Sequence, residues 1–238
     1  MLAVGFLLAS ALQIQAADIT GKITLKGTPP AEKELPLDPS CGQLHAGKAK
    51  PTTHLYNVDK SGNLADVFVY IKSGLTSKPA PSSQPVVLDQ VGCEYTPYVF
   101  GLQIGKKLAV KTSDPMMHNV HVMPEPKYGN KESNRAQMPN TPNMEYVFDK
   151  PEVFLRFKCD VHIWMFAYAG LVDHPYFAVS GPDGTFKIAN VPPGKYVIEA
   201  VHRKAHTTAD GAKGITQEIM VGADGAKADF TVEVPPAQ

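Results

Sequence analysis

The sequence predicts an all-β fold, and three observations lead to this prediction. The chain has 238 residues, including 21 Pro and 19 Gly, which divide it into short segments. These segments are rich in β-branched and aromatic residues and often alternate between polar and apolar side chains, as half-buried strands do. Hardly any stretch shows a sustained helical period. Short strands separated by turn residues are typical of a β-sandwich or barrel.

The candidate strands follow one another along the chain, with turns between them. In order they are ITGKITLK (19–26), ADVFVYIK (65–72), QIGKKLAVK (103–111), YVFDKPEVFLRFK (146–158), TFKIA (185–189), KYVIEAV (195–201) and ADFTVEV (228–234). The turn strings GPDGTF and NVPPGKY place Pro and Gly where a tight reversal needs them. Residues 76–85, rich in Ser and Pro, and the polar residues 123–144 lack strand character. We therefore predict two long loops there.

Composition and charge exclude some classes of function. The sequence is 43% hydrophobic, which is enough for a sizeable core. Its 23 Lys and Arg balance 23 Asp and Glu, and the pI is about 7.1. General binders of nucleic acid and binders of anionic membranes carry a marked positive charge. We therefore expect neither nucleic acid nor an anionic membrane as a partner.

The N-terminus carries an apolar run, Leu2–Leu12, followed by Ala16 and Ala17 directly before Asp18. The run resembles the core of a secretory signal peptide, although no Lys or Arg precedes it. Spanning a bilayer would take about 20 apolar residues, so we expect no membrane span. Residues 1–17 are predicted to be a signal peptide cleaved near Ala16 and Ala17, which makes the protein periplasmic or secreted. The alternative is a buried N-terminal strand or helix.

Two short strings contain residues with metal chemistry. DPMMHNVHV (114–122) follows the strand LAVK, and KCDVHIWM (158–165) follows the strand FLRF. Cys159, His162 and Met165 are spaced three and three, and His118 supplies a second imidazole from the other string. A thiolate, two imidazoles and a thioether are the ligands of a blue-copper centre. Soft sulfur suits Cu(I) and nitrogen suits Cu(II), so such a site serves both oxidation states.

Both strings resemble the ligand segments of cupredoxins of the amicyanin and plastocyanin type, over about residues 84–173. The resemblance implies a Greek-key β-sandwich or barrel holding one type 1 copper. The implied ligands are His118, Cys159, His162 and the axial Met165. Asn119 is implied to tie the His118 turn to the Cys159 loop by hydrogen bonds. The sequence departs from amicyanin at Met117, where amicyanin has Pro, and at the bulky Ile163 and Trp164.

The resemblance also implies a function. Cupredoxins pass single electrons between redox protein partners and turn over no substrate, so we expect a redox protein as partner and no enzymatic activity. His162 is the expected exit for the electron, because the corresponding loop histidine of the family reaches the surface. Trp164 and Phe166 are the expected apolar docking patch around it.

Other sites and functions stay open at this point. Zinc could bind a Cys and two His, but a zinc site usually adds a carboxylate, a His or a second Cys rather than a thioether. A Cys-His hydrolase would use Cys159 as its nucleophile, but no orienting Asn or Asp and no helix N-terminus are apparent. A copper-binding or storage protein could use the Met-rich residues 116–144. A structural or binding β protein could carry a vestigial site.

The sequence has three cysteines, an odd number. Cys41 and Cys93 both occur in turn-like contexts and are the natural disulfide pair in an oxidising compartment. That pairing leaves Cys159 free to bind a metal. Four further histidines have no partners at metal spacing and are predicted to be solvated: His45, His54, His202 and His206.

A second resemblance concerns the flanks. SGPDGTFKIANVPPGKYVIEAV (180–201) is similar to the second half of carboxypeptidase-regulatory-like, transthyretin-type β-sandwiches, and ITGKITLKGTPP (19–30) resembles their opening strand. The whole chain resembles exported bacterial proteins labelled methylamine-utilisation-like. We therefore predict that residues 18–83 and 174–238 pair to form a second β-sandwich, with the cupredoxin domain, 84–173, inserted between them. The alternative is two successive domains.

Overall fold

The computed structural model describes residues 15–208 and 211–236. Residues 1–14, which make up most of the predicted signal peptide, lie outside the described residues. Within the described part of the chain, no helix is both long enough and apolar enough to cross a membrane.

The all-β prediction is confirmed, because strands dominate the described residues and the helices are short. In chain order the elements are β1 (Ala17–Lys26), α1 (Pro39–Leu44), β2 (Val67–Ser73), β3 (Val86–Val91), β4 (Glu94–Thr96), β5 (Val99–Gln103), β6 (Lys107–Thr112), β7 (His118–Met123), a 3-10 turn (Pro126–Tyr128), β8 (Ser133–Gln137), β9 (Met144–Val147), β10 (Glu152–Lys158), β11 (Phe166–Val172), β12 (Phe177–Val179), β13 (Thr185–Val191), β14 (Gly194–His202), α2 (Arg203–His206), β15 (Thr207–Thr208), β16 (Gly211–Ala212), β17 (Ile215–Val221), β18 (Ala226–Lys227) and β19 (Phe230–Glu233).

The central part of the chain forms two sheets around one apolar core. One sheet has the order β5-β11-β10-β7-β8 and the other β4-β3-β6-β9. Both contribute to a core that includes Leu88, Leu108, Val120 and Phe157. β10 lies between β7 and β11 and runs antiparallel to both. The start of β7 and the end of β10 therefore lie next to each other at one end of the sandwich.

Strands from both ends of the chain build a second pair of sheets. β1 pairs antiparallel with β13 and parallel with β18 and β19. β2 pairs with β12 and β14, and β14 pairs with β17. These sheets share a second core that includes Ile19, Val69, Ile188 and Phe230. Strands β3 to β11 thus lie in sequence between the strands of this second unit.

Phe68 on β2 joins the two units. Its fully buried ring packs in a third apolar cluster with residues of the central part, including Val99 of β5 and Val172 of β11. Gly170 faces the ring so closely that a Cβ atom there would lie 2.5 Å from it. The absence of a side chain at Gly170 therefore allows the two units to approach.

Two regions differ from the sequence predictions. The predicted loop 123–144 contains the strand β8, which pairs with β7 at the edge of its sheet. Most of β8 is exposed, so its sequence SNRAQ has no apolar alternation to reveal it. The second region is residues 33–53, which we call the strap. Backbone hydrogen bonds between Leu35 and Pro51 and between Lys33 and Thr53 close it, and it contains α1.

Candidate metal centre

The fold brings the two metal-binding strings together. His118 is the first residue of β7, and Cys159 directly follows β10, its neighbour in the sheet. The loop from Cys159 to Met165 is closed by two backbone hydrogen bonds: Cys159 N–H donates to the Met165 carbonyl (3.1 Å) and Met165 N–H donates to the His162 carbonyl (2.8 Å). This closed loop holds three of the predicted ligands at one place.

Three donor atoms surround a single point. Nδ1 of His118 lies 3.0 Å from Nδ1 of His162, and Sγ of Cys159 lies 4.0 Å and 3.6 Å from those two nitrogens. The circle through the corners of this triangle has a radius of about 2.1 Å, which matches metal–nitrogen bonds of ~2.0–2.1 Å and is close to a metal–sulfur bond of ~2.3 Å. The donor set therefore fits one metal ion.

The candidate centre is dry. His118 and Cys159 are fully buried, and Met165 and His162 are almost so. Cys159 and Met165 belong to the apolar core of the central sandwich. A buried site of this kind excludes water as a competing ligand and presents two nitrogens with one thiol sulfur and a nearby thioether residue.

Asn119 connects the two strings. Its side-chain oxygen accepts hydrogen bonds from the backbone N–H groups of Asp160 (2.7 Å) and Val161 (3.3 Å). Its backbone N–H donates to Cys159 Sγ (3.5 Å). The Asn119 side chain thus fixes the start of the ligand loop, and its backbone amide stabilises negative charge on the sulfur.

Asp114 orients the first histidine. Its carboxylate lies 2.9 Å from Nε2 of His118 and also accepts backbone hydrogen bonds from Gly92 (2.6 Å) and Cys93 (2.8 Å). A carboxylate on one ring nitrogen favours the tautomer that leaves the other nitrogen free as a ligand. Burial alone would lower the pKa of His118, but the hydrogen bonds to Asp114 and Cys159 outweigh it and raise this pKa to about 9.

The thiol and the second histidine respond to the same charges. Burial acts to raise the pKa of Cys159, but the hydrogen bonds from His118 and from the Asn119 backbone lower it overall. Burial and the neighbouring charge of His118 lower the pKa of His162. The two shifts are linked: a protonated His118 favours the thiolate form of Cys159, and a thiolate there favours the protonated imidazole. A metal ion would take the place of that proton.

Asp160 points away from the donor atoms. Its carboxylate contacts Lys158 (2.7 Å), Asn134 (2.7 Å) and His121 (2.9 Å), and the residue is exposed. Asp114 contacts a donor residue, but it does so at the outer nitrogen of His118. The fourth protein ligand that a zinc site would usually add is thus not supplied by either carboxylate.

The strap covers His162. Asp38 places its carboxylate 3.6 Å from Nε2 of His162, and the sulfurs of Cys41 and Cys93 also lie within 4.8 Å of a nitrogen of that ring. His162 is only 3% exposed. The expectation that His162 reaches the surface was therefore wrong, because the strap occupies the space in front of it.

The expected docking residues are half-buried. Trp164 donates its indole N–H to the Cys93 carbonyl (3.1 Å), and Phe166 begins β11. More apolar surface on the ligand loop belongs to their neighbours: Ile163 is 66% exposed and Val161 49% exposed. Ile163, a bulky residue at which the sequence differs from amicyanin, is thus the more exposed of these two apolar side chains of the loop.

Cys41 and Cys93, which are 52 positions apart in the sequence, form a disulfide. Cys159 is free and buried. The bond joins the strap to the turn between β3 and β4. A second contact nearby, between Nε2 of His45 and the Gly92 carbonyl (2.8 Å), joins the same two segments. The strap is therefore held over the candidate centre by a covalent bond and a hydrogen bond.

Sequence reasoning missed two carboxylates and, besides His162, misplaced a second histidine. Asp114 stands four residues before His118, a spacing that could have suggested a partner. Asp38, about 120 positions from His162, gave no local signal. His202 was predicted to be solvated, but it is 3% exposed and stacks on Tyr56 with ring centroids 4.6 Å apart. That prediction was wrong because β14 carries His202 into the second unit's interior.

No model of a known protein family matches the chain, and no curated protein matches it. Among solved structures, an oxidised single-site mutant of amicyanin is 16% identical and covers 44% of this chain and 98% of its own, with a TM-score of 0.34. A Cu(I) form of another amicyanin mutant is 15% identical over the same shares, with a TM-score of 0.33. The copper-containing nitrite reductase NirK from Thermus scotoductus SA-01 is 17% identical and covers 42% of this chain and 25% of its own, with a TM-score of 0.34.

Proposed function

We propose that this chain is an exported cupredoxin-type protein that binds one copper ion and carries single electrons between redox protein partners. One observation carries the proposal: the buried nitrogens of His118 and His162 and the sulfur of Cys159 surround one point at metal-bonding distance. Met165 lies on the same closed loop. Such mixed nitrogen and sulfur donors favour copper over harder metals.

In such a carrier, the residues of the chain would hold the metal donors in place and exclude water. Bound copper would supply one-electron chemistry through its Cu(II) and Cu(I) states. His118 and Cys159 would be held by Asp114 and Asn119, so the donor positions change little between the two states. The apolar core behind Cys159 excludes water from the site. The protein would turn over no substrate of its own.

The proposed location follows from the chemistry of the cysteines. Disulfides persist in oxidising compartments and are rare in the reducing cytosol. The Cys41–Cys93 bond is compatible with an exported protein, and the apolar run at the N-terminus of the sequence supports a signal peptide. We place the protein in the periplasm or outside the cell.

Copper(II) titration of the purified protein tests the proposal. The expected result is an intense visible band from charge transfer between the Cys159 thiolate and copper, at one copper per chain. Cys159→Ser should remove the band, since a hydroxyl is a hard, weak ligand. His121→Ala is the matched control, because His121 bonds to Asp160 and Glu132 outside the donor set. A wild-type protein without the band would refute the proposal.

The same titration addresses copper storage. Storage would need several soft ligands close together, but the methionines of residues 116–144 lie in different surroundings. Met116 lies 4.0 Å from the Cys93 sulfur, Met123 contacts Arg156, and Met144 is buried. Met117 and Met138 are exposed. Binding of several copper ions per chain would favour storage over electron transfer.

A further inference from the structure

A cleft beside the candidate metal centre brings together three distant parts of the chain. It has a volume of about 450 Å³. The strap and its neighbours His54 and Leu55 form one wall, the ligand loop with Tyr98 and Tyr168 forms another, and α2 closes one side. Small-molecule sites usually occupy concave surfaces of ~300–1,000 Å³ where separate parts of a protein meet. The cleft has the size and position of a ligand site.

Its walls are unusually rich in flat rings. Five aromatic side chains contribute to the lining: His54, Tyr98, Trp164, Phe166 and Tyr168. Tyr98 packs against His54 at 5.0 Å and edge-on against Tyr168 at 5.5 Å between ring centroids, so the rings form one connected surface. Aromatic surfaces of this kind favour planar rings, which can stack or meet them edge to face.

Two cations stand at one side of the cleft. The guanidinium of Arg203 lies over the rings of Tyr168 (4.6 Å) and Tyr98 (5.6 Å). Neither Arg203 nor Lys204 makes an ion pair within the described residues, and Nε of Arg203 is buried there without a hydrogen-bond partner. Burial and the charge of Arg203 lower the pKa of Lys204. An anion would neutralise both groups.

The acids near these cations form no ion pair with them within the described residues, although the charge of Glu32 acts on Lys204. Glu94 lines the cleft, but its carboxylate is already paired with Nε2 of His54 (2.8 Å). The Glu94 carboxylate accepts this hydrogen bond and raises the pKa of His54. Asp66 experiences the charge of Arg203 without contacting it. Arg203 and Lys204 thus line the cleft without a close ion-pair partner among the described residues.

We propose that this cleft binds a planar aromatic anion of the aromatic-carboxylate class. The ring packs against the aromatic walls, and the carboxylate lies toward Arg203 and Lys204. Arginine suits this role because its planar guanidinium can donate two parallel hydrogen bonds to one carboxylate. The inference concerns binding alone, and it stands whether or not copper occupies the neighbouring centre.

Trp164 provides the readout, because it is the single tryptophan of the sequence and lines the cleft. The full-length protein as purified is titrated with benzoate, and tryptophan fluorescence and calorimetric heat are recorded. Cyclohexanecarboxylate has the same charge without an aromatic ring, and benzamide has the same ring without a charge. We expect benzoate to bind saturably and at least about tenfold more tightly than either analogue.

Variants of the two cations test the location of the site. Arg203→Gln should weaken benzoate binding about tenfold or more, since a charge-assisted hydrogen bond is lost. Lys204→Gln should weaken it less, and serves as the deciding variant if Arg203→Gln does not fold. Arg135→Gln is the matched control: Arg135 also stacks on a tyrosine, Tyr146, but outside the cleft. Its benzoate affinity should equal that of the wild type.

Three results would overturn the proposal. One is the absence of saturable benzoate binding at millimolar concentrations. Another is equal affinity for benzoate, cyclohexanecarboxylate and benzamide. The third is unchanged benzoate affinity in a folded Arg203→Gln protein or, if that variant does not fold, in Lys204→Gln. The copper band of the proposed electron carrier is measured separately, so failure of one proposal leaves the other decidable.

Discussion

Asn119 shows how much of the candidate centre depends on a single amide side chain. Its oxygen accepts the backbone N–H groups of Asp160 and Val161, and its nitrogen donates to Asn134 (2.7 Å). The two backbone groups belong to the start of the ligand loop, where no strand partner is available to them. The Asn119 side chain therefore positions the start of the ligand loop of the candidate centre.

Replacing Asn119 by Ala should destabilise the protein by about 2 kcal/mol, because it leaves the Asp160 and Val161 N–H groups without an acceptor. Urea unfolding measures the loss. Asn134→Ala is the control, because Asn134 is exposed and its removal leaves those two backbone groups bonded. Equal losses in both variants would contradict the role given to Asn119.

His202 predicts a pH dependence of stability. Burial, followed by the charges of Arg203 and His206, lowers its pKa from the usual 6.5 to about 3. Between these values the unfolded chain binds a proton that the folded chain does not. Stability from this group is complete above pH 6.5 and falls as the pH is lowered toward 3, by up to about 1.4 kcal/mol per pH unit.

His202→Phe separates this contribution from those of other groups. Phe preserves a ring against Tyr56 but cannot titrate. Urea midpoints measured from pH 7 to pH 4 should therefore fall less steeply in the variant than in the wild type. Parallel pH profiles of the two proteins would show that His202 is not the group responsible.

At the residue scale, sequence reasoning could propose a site where the candidate ligands were concentrated in a short string. The spacing of Cys159, His162 and Met165 was informative because one closed loop holds all three. It failed for Asp38, because nothing local connects position 38 with position 162. It also failed for His202, because burial depends on which face of β14 meets the second core.

At the scale of elements, the strap is the feature with the most consequences. Its helix α1 is only six residues long, begins after Asp38 and contains Cys41. Asp38 caps α1 by accepting the Cys41 N–H (2.8 Å), and it also faces His162. The disulfide from Cys41 then holds this short element against the central sandwich.

Cys41→Ala combined with Cys93→Ala should destabilise the protein by about 4 kcal/mol. Without the disulfide, the unfolded chain is no longer closed into a loop between positions 52 apart, so its conformational entropy rises. Chemical unfolding measures the change, and the oxidised wild type should show one free thiol, that of Cys159, when unfolded. Wild type treated with a dithiol reductant is the control and should approach the stability of the variant. A loss below about 1 kcal/mol would be inconsistent with this entropic role.

Strand prediction from the sequence succeeded for some of the strands that have one buried face. β1 and β13 alternate between buried and exposed residues, and their segments were predicted. β8 was missed because it is an exposed edge strand, which forms by pairing with β7 rather than by burying an apolar face. α1 was missed because a helix of this length depends on its cap and its disulfide rather than on a helical period.

At the scale of the whole molecule, two β units meet around Phe68. Its ring packs between strands of both units and faces Gly170 on β11. This contact determines how closely the second unit approaches the central sandwich. Packing at this contact should therefore couple the stabilities of the two units.

Gly170→Ala should destabilise the protein by about 1–3 kcal/mol, since the new Cβ would lie 2.5 Å from the Phe68 ring. Gly42→Ala is the matched control, because a Cβ at Gly42 meets nothing within 4 Å. Combining Gly170→Ala with Phe68→Leu, whose side chain is smaller, should cost less than the sum of the single changes. Additive losses in urea unfolding would mean that the two residues are not coupled.

The burial of the four candidate ligands has a consequence for how the proposed copper ion would enter the protein. None of the four residues is more than 3% exposed, and the Cys41–Cys93 disulfide holds the strap beside them. An ion that arrives after the disulfide has formed cannot reach the buried residues directly. Its binding therefore requires a local opening of the protein. The rate of copper uptake should then level off as copper concentration rises, at a ceiling set by that opening. Copper would therefore enter the proposed centre fastest before Cys41 and Cys93 join.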